Sequence, residues 1–177
     1  MREIIKLGLI LLIITSVAGL ILGGVNSMTA DIIEARALED SMEAIEAFFP
    51  ESDDAGIIDD GDVLAYDLVD EVYEVLQGDT VIGYTIKTVP NGYDGPIELL
   101  TGISIEGEIT GIEILSQTET PGLGDRITND EFKDQFAGQS SDEELEVDAL
   151  SGATVSRNAV VNGVNAATEV FEEELRN

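Results

Sequence analysis

Between Leu7 and Ala30 the chain carries no charged side chain, a run of 24 residues that limits the rest more than any other feature. At 1.5 Å rise per residue it makes roughly 36 Å of helix, more than the ~30 Å hydrocarbon core of a bilayer. A cleavable signal sequence is the rival reading. Its apolar stretch runs to only about 7–15 residues and ends in a small-x-small site. Ser27-Met28-Thr29-Ala30 offers a poor one, because Met28 stands where a small side chain is wanted, and the chain has no Cys for a lipid anchor. The run therefore reads as a retained transmembrane helix. Arg2 and Lys6 precede it, whereas Asp31, Glu34, Glu39 and Asp40 follow it with Arg36 as their one cation. The excess of cations before the span puts the N-terminus in the cytoplasm and the remainder outside the inner (cytoplasmic) membrane, in contact with lipid only through the single span. Gly19 and Gly23 form a Gly-x-x-x-Gly step of the kind that lets membrane helices approach closely. The expected domains are an anchor over 1–30 and an extracytoplasmic domain over 31–177.

Composition narrows the chemistry. There is no Cys, His or Trp. Thiolate and imidazole metal sites, Cys-ligated iron–sulfur clusters, His-ligated haem, disulfides and Ser–His nucleophiles are all excluded. Without His, no side chain has an ordinary pKa near neutrality, so general acid–base catalysis is a poor expectation. Any electrons handled here must ride on an organic cofactor. With 37 acidic residues against 8 basic ones, the net charge is −29, which repels nucleic acid and anionic lipid surfaces. Such an excess suits salty surroundings, where counter-ions screen the self-repulsion.

After the anchor, Thr29 reads as the cap of a helix over 30–48 that Pro50 stops, and 51–62 as an acidic loop. Its Asp59-Asp60-Gly61-Asp62 does not match the spacing of an EF-hand and reads as a solvated turn. Four strands are expected over 71–77, 80–89, 97–105 and 109–115, with turns at Gly78-Asp79 and Glu106-Gly107. A short helix over 129–136 capped by Thr128, a return to the sheet at 144–147, and a closing helix from about Val155 to Leu175 complete the pattern. The fold class is α+β: an N-terminal transmembrane helix followed by one antiparallel-sheet domain, its flanking helices covering one face.

Two loops carry the chemistry. Asp148-Ala149-Leu150-Ser151-Gly152-Ala153-Thr154 opens the closing helix with small residues, where unpartnered N–H groups favour a phosphate and a Thr hydroxyl is placed to carry it as an ester. Ser151 as a plain helix cap is the alternative. Glu119-Thr120-Pro121-Gly122-Leu123-Gly124 mixes apolar surface with hydrogen-bonding groups, which suits the edge and face of a flavin ring, or serves as a plain connector.

Asp-x-x-Ser-Gly-Ala-Thr resembles the attachment motif of the FMN-binding domain shared by the G subunit of the Rnf electron-transport complex and the C subunit of the sodium-pumping NADH:quinone oxidoreductase. Glu119 to Gly124, followed by Arg126 and Ile127, resembles that family's second signature, and Gly92-Tyr93-Asp94-Gly95 its Gly-Tyr-x-Gly element. The single anchor and the chain length fit the Rnf subunit better. The resemblance implies one covalent FMN, joined through a phosphoester to Thr154 by a separate flavin transferase that uses FAD. Ser151, Gly152, Ala153, Asp148 and Val155 would surround the attachment point, and Glu119, Thr120, Leu123, Gly124 and Tyr93 the ring. No metal and no catalytic side chain is expected. It also implies an electron-transfer role among other membrane subunits of an ion-translocating ferredoxin:NAD oxidoreductase. The alternatives are an anchored binding or scaffold domain without redox chemistry, and a different covalent-flavin reductase subunit.

Overall fold

Successive side chains along the strands point to opposite faces, and both faces are covered: Val72 and Tyr73 are both buried, yet they belong to different apolar clusters on opposite sides of one sheet. A computed structural model describes residues 2–176. Of the acidic flank named above, the side chains of Asp31 and Glu34 lie outside the described residues.

The chain divides into two units, one ending at Glu39 and the other starting at Asp40. Helix α1, Arg2–Phe48, runs unbroken through the position expected for a new helix start. Thr29 caps nothing; its Oγ1 donates back to the Val25 carbonyl at 3.0 Å, as threonines inside helices do. Residues 30–48 hold neither Gly nor Pro, so nothing there stops a helix already under way. In the first unit the described side chains are exposed, Leu20 to 76%. The helix is long and apolar enough to cross a membrane.

In the second unit, five antiparallel strands follow in chain order: β1 (Asp54–Ile57), β2 (Val69–Gln77), β3 (Thr80–Thr88), β4 (Glu98–Ser104) and β5 (Ile109–Ser116). Gly78 and Gly107 make the tight turns, with φ of 63° and 90° that only glycine adopts without strain. Strand β1 lies in the stretch read as an acidic loop. It is four residues long and pairs Asp54 with Leu76 and Ile57 with Tyr73. Short, charged edge strands carry almost no periodic signal, which is how they avoid pairing with other chains.

Helices cover both faces of the sheet rather than one. On one side Val72, Ile86, Leu99, Ile103 and Ile112 lie under α3 (Thr154–Val170) and the π-helical turn that follows it, through Val160, Val164, Ala167 and Phe171. On the other, Tyr73, Val75 and Leu100 pack against Ala44, Ile45 and Phe49 from the end of α1 and just beyond it. Glycines form the floor there. A Cβ at Gly83 would sit 2.5 Å from the Phe49 ring, and one at Gly102 2.8 Å from the Phe48 ring. Burying Phe49 contributes about 1.5–3 kcal/mol, and half-buried Phe48 less.

The stretch after β5 departs from expectation twice. Helix α2 is only Asp130–Lys133, with Asn129 at its cap. Thr128 instead ends a 3-10 turn, its Oγ1 donating to the Asp125 carbonyl at 2.8 Å. Residues 144–147 form no strand and do not rejoin the sheet. Two glutamines take the place of a strand partner: the N–H groups of Glu146 and Asp148 donate to Gln139 Oε1 at 2.8 Å and Gln135 Oε1 at 2.7 Å. Backbone donors already met by side chains have no need of a ladder.

One buried cation is placed among carboxylates. Lys87 Nζ lies 2.9 Å from Asp70, 3.6 Å from Glu71 and 3.8 Å from Glu98, and the Tyr73 hydroxyl donates to Glu71. Burial alone would lower the Lys87 pKa, but the hydrogen bond to Asp70 and the three negative charges outweigh it and hold it above the ordinary lysine value. A raised lysine pKa contributes stability that is complete below the unfolded-state value and is lost as pH climbs through the folded one. Lys87→Met should therefore cost about 1–2 kcal/mol at neutral pH. This is less than the ~3–5 of a fully buried pair, because the carboxylates still reach water. Urea melts near neutrality and at about pH 11 check it: the gap to wild type should narrow at the alkaline end. A gap that stays constant would mean Lys87 acts only by packing.

Candidate functional site

Three loops converge where β5 leaves the sheet. The first joins β3 to β4 and folds back on itself, Gly92 N–H donating to the Gly95 carbonyl at 2.7 Å and Ile97 N–H to the Pro90 carbonyl at 2.9 Å. The second follows β5. It turns at Gly122, φ 76°, and enters the 3-10 turn Gly124–Thr128, with Leu123 N–H donating to the Thr120 carbonyl at 3.1 Å. The third runs from Asp148 into α3 and reverses at Gly152, φ 81°, with Ala153 N–H on the Leu150 carbonyl at 2.9 Å.

Stitches between the loops fix their approach. Thr120 Oγ1 donates to Asp94 Oδ2 at 2.6 Å. Arg126 Nη1 donates to the Ser151 carbonyl at 3.1 Å, while an Arg157 guanidinium N–H donates to the Val147 carbonyl and so closes the third loop on itself. A Cβ at Gly152 would lie 3.4 Å from Leu123 Cδ2, so the two signature loops are in near contact.

Between them lies a cleft of about 560 Å³, within the range of small-molecule sites. Tyr93, Glu119, Thr120, Leu123 and Gly124 form one wall; Gly152, Ala153, Thr154 and Val155 form the other. Nine of the eleven residues singled out in the sequence thus share one cavity. Asp148 and Ser151 are outside it: Asp148 is exposed with its N–H on Gln135, and Ser151 is exposed with its carbonyl turned to Arg126.

Helix α3 begins at Thr154, and its cap is Ala153, with no side-chain hydrogen bond closing the end. Ser151 is therefore not the cap. The first turn keeps its orphan N–H groups beside an exposed Thr154, in the arrangement that favours an anion. Val155, the expected start of the closing helix, is its second residue; it is 50% exposed and faces the cleft. Ser156 takes the inward position at 2% exposure, and its hydroxyl donates to Glu119 Oε2. Sequence reasoning passed over Ser156. The available signal was a small polar residue three positions before Ala159 and four before Val160, on the helix's inward face.

Among the described residues no group of three or more Asp or Glu side chains is placed to hold a metal ion. Tyr93 at 72%, Leu123 at 48% and Val155 at 50% exposure give the mouth of the cleft an apolar rim.

Comparison with known proteins places this geometry. The FMN-binding domain family matches residues 92–169, a span that takes in most of the first loop and all of the other two. The G subunit of the Na(+)-translocating ferredoxin:NAD(+) oxidoreductase complex of Acetobacterium woodii is 36% identical over 193 residues, covering 97% of this chain and 93% of that one. The G subunit of the ion-translocating oxidoreductase complex of Methanosarcina acetivorans is 33% identical over 183 residues, covering 95% and 94%. Among solved structures, NqrC of Shewanella oneidensis superposes with a TM-score of 0.54 over 70% of this chain and 82% of its own, at 17% identity. The C subunit of the Na(+)-translocating NADH-quinone reductase of Parabacteroides distasonis gives 0.54 over 71% and 79%, at 19% identity. These two likenesses speak to the fold, whereas identity over nearly the full length speaks to kinship. The chain belongs to the family of G subunits of ion-translocating oxidoreductase complexes.

Proposed function

We propose that this chain is the electron-transfer subunit of an ion-translocating ferredoxin:NAD oxidoreductase of the Rnf type, carrying one FMN joined by its phosphate to Thr154. The observation that carries the reading is Thr154 itself. It is an exposed hydroxyl on the first residue of an α-helix whose N-terminus no side chain caps, opening on the one cleft that gathers all three family loops.

The residues present fit the group. Free N–H groups of the first α3 turn would take phosphate oxygens, and a phosphate there gains from the helix dipole. Ala153 and Gly152 leave room beside the ester, and Leu123, Val155 and Tyr93 supply apolar surface that shields a ring from water. When bound, FMN supplies the redox chemistry, accepting and releasing electrons singly or in pairs, which no side chain here can do. The protein's part is to hold that group in place and to keep it from diffusing away, which a covalent tether does regardless of free FMN.

In this reading residues 1–30 anchor the chain in the cytoplasmic membrane with the N-terminus inside, and residues 31–177 stand on the outer face. Its partners are the other membrane subunits and, during maturation, a flavin transferase. The test is direct. The full chain, co-expressed with a flavin transferase and run on a denaturing gel, should give a band with yellow fluorescence and a mass increased by one FMN less water. A colourless, unmodified chain under those conditions would overturn the proposal.

A further inference from the structure

Glu119 is only 4% exposed, and among the described residues it is the one buried carboxylate, on a protein crowded with acidic groups in water. Burying a carboxylate is costly unless donors meet it. Here three do. Oε1 accepts the N–H of Tyr93 at 2.9 Å and of Asp94 at 3.0 Å, and Oε2 accepts the Ser156 hydroxyl. These donors belong to the β3–β4 loop and to the first turn of α3, so one side chain ties together the three segments that build the cleft.

The glycines of the signature loops make sense on the same ground. A Cβ at Gly92 would lie 2.5 Å from Glu119 Oε1, and one at Gly124 2.6 Å from Oε2 and 2.7 Å from Ser156 Oγ. Both positions are kept bare by the carboxylate they enclose. Three of its roughly four acceptor positions are spent within the protein.

We infer that Glu119 is a positioning residue: it does not hold the flavin but pins Ser156, and through the first turn of α3 it sets where Thr154 stands relative to the Tyr93 wall. This rests on the FMN reading above. A carboxylate suits the task because it accepts three donors at once. A glutamine can do nearly the same, its oxygen taking the two N–H groups and its amide donating to a reversed Ser156 hydroxyl. Alanine can do none of it.

The test uses the full chain co-expressed with a flavin transferase, as wild type, Glu119→Ala, Glu119→Gln and Ser156→Ala. Visible circular dichroism per attached flavin reports how firmly the ring is held. Amide exchange at Tyr93 and Asp94 in unmodified chain reports the pin without any flavin. Glu119→Ala should cut the dichroism severalfold and speed exchange at both amides by about tenfold or more. Glu119→Gln should restore both. Ser156→Ala should lower the dichroism while leaving exchange at Tyr93 slow, a pattern that keeps the proposal testable should the Glu119→Ala chain fail to fold.

Unchanged dichroism and exchange in Glu119→Ala would overturn the inference. So would a Glu119→Gln variant as impaired as Glu119→Ala with a shifted flavin potential, because Glu119 would then be acting as a charge on the ring. A wild type without flavin would refute the function instead, and the exchange contrast would still decide the pin.

Discussion

Thr154→Ala should yield a folded chain with no covalent flavin at all, and Thr154→Ser a chain that is still modified. Thr154 is exposed at the first position of α3, so its side chain contributes nothing to the core, and alanine is the better helix former. The stability change should stay within about 0.5 kcal/mol, as for surface positions in general. What alanine removes is the one oxygen through which an ester can form. Serine keeps that oxygen and loses only the methyl that narrows its rotamers, so attachment should be slower but present.

The neighbouring hydroxyls are poor substitutes. Ser156 is buried and bound to Glu119, and Ser151 lies before the Gly152 reversal, outside the cleft. Intact mass and peptide mapping of both variants read the result. A Thr154→Ala chain still carrying the full FMN mass would sink the assignment, and the mapped peptide would show which hydroxyl took it.

How much of this was legible beforehand depends on the range of the interaction concerned. The four longer strands show in the sequence because Val, Ile and Tyr alternate along them and Gly78 and Gly107 mark their turns, all within a few residues of each other. That the loops of Leu123 and Thr154 meet at one edge of the sheet follows from an expected strand before each; joining Tyr93 to them takes the family resemblance, since no local pattern links residues so far apart along the chain.

What escaped were features decided by distant partners. Residues 144–147 look like a strand until Gln135 and Gln139 are seen to satisfy the N–H groups of Glu146 and Asp148. Ser156 looks like one more small helix residue until Glu119 is found beneath it. Covering of the second sheet face depends on Phe48 and Phe49 finding Gly83, Gly102 and Gly111 bare, a match between side chains and absences of side chains that no window of sequence displays.

Raising NaCl from about 10 mM to about 1 M should lift the melting temperature of the domain by about 10 °C or more. The Debye length falls from about 30 Å to about 3 Å over that range, so charges that repel across the whole molecule at low salt scarcely interact at high salt. The repulsion is large, since the net charge is −29. Ion pairs relieve little of it: Lys87, Lys133 and Arg176 between them engage Asp70, Glu71, Glu98, Glu113, Asp130 and Glu172, while most of the 37 acidic residues face water. Asp59, Asp60 and Asp62 stand close along the chain, as do Glu172, Glu173 and Glu174. At ~2–4 °C per kcal/mol for a chain of this size, 10 °C corresponds to about 3–5 kcal/mol, a large part of an ordinary domain's stability. Salt also weakens the Lys87 cluster, but that is one cation set against a net charge of −29, so the net sign stays positive. Sucrose separates the causes, because it strengthens burial without screening charge. If sucrose matches NaCl, or if the melting temperature ignores NaCl altogether, self-repulsion is not what limits this fold.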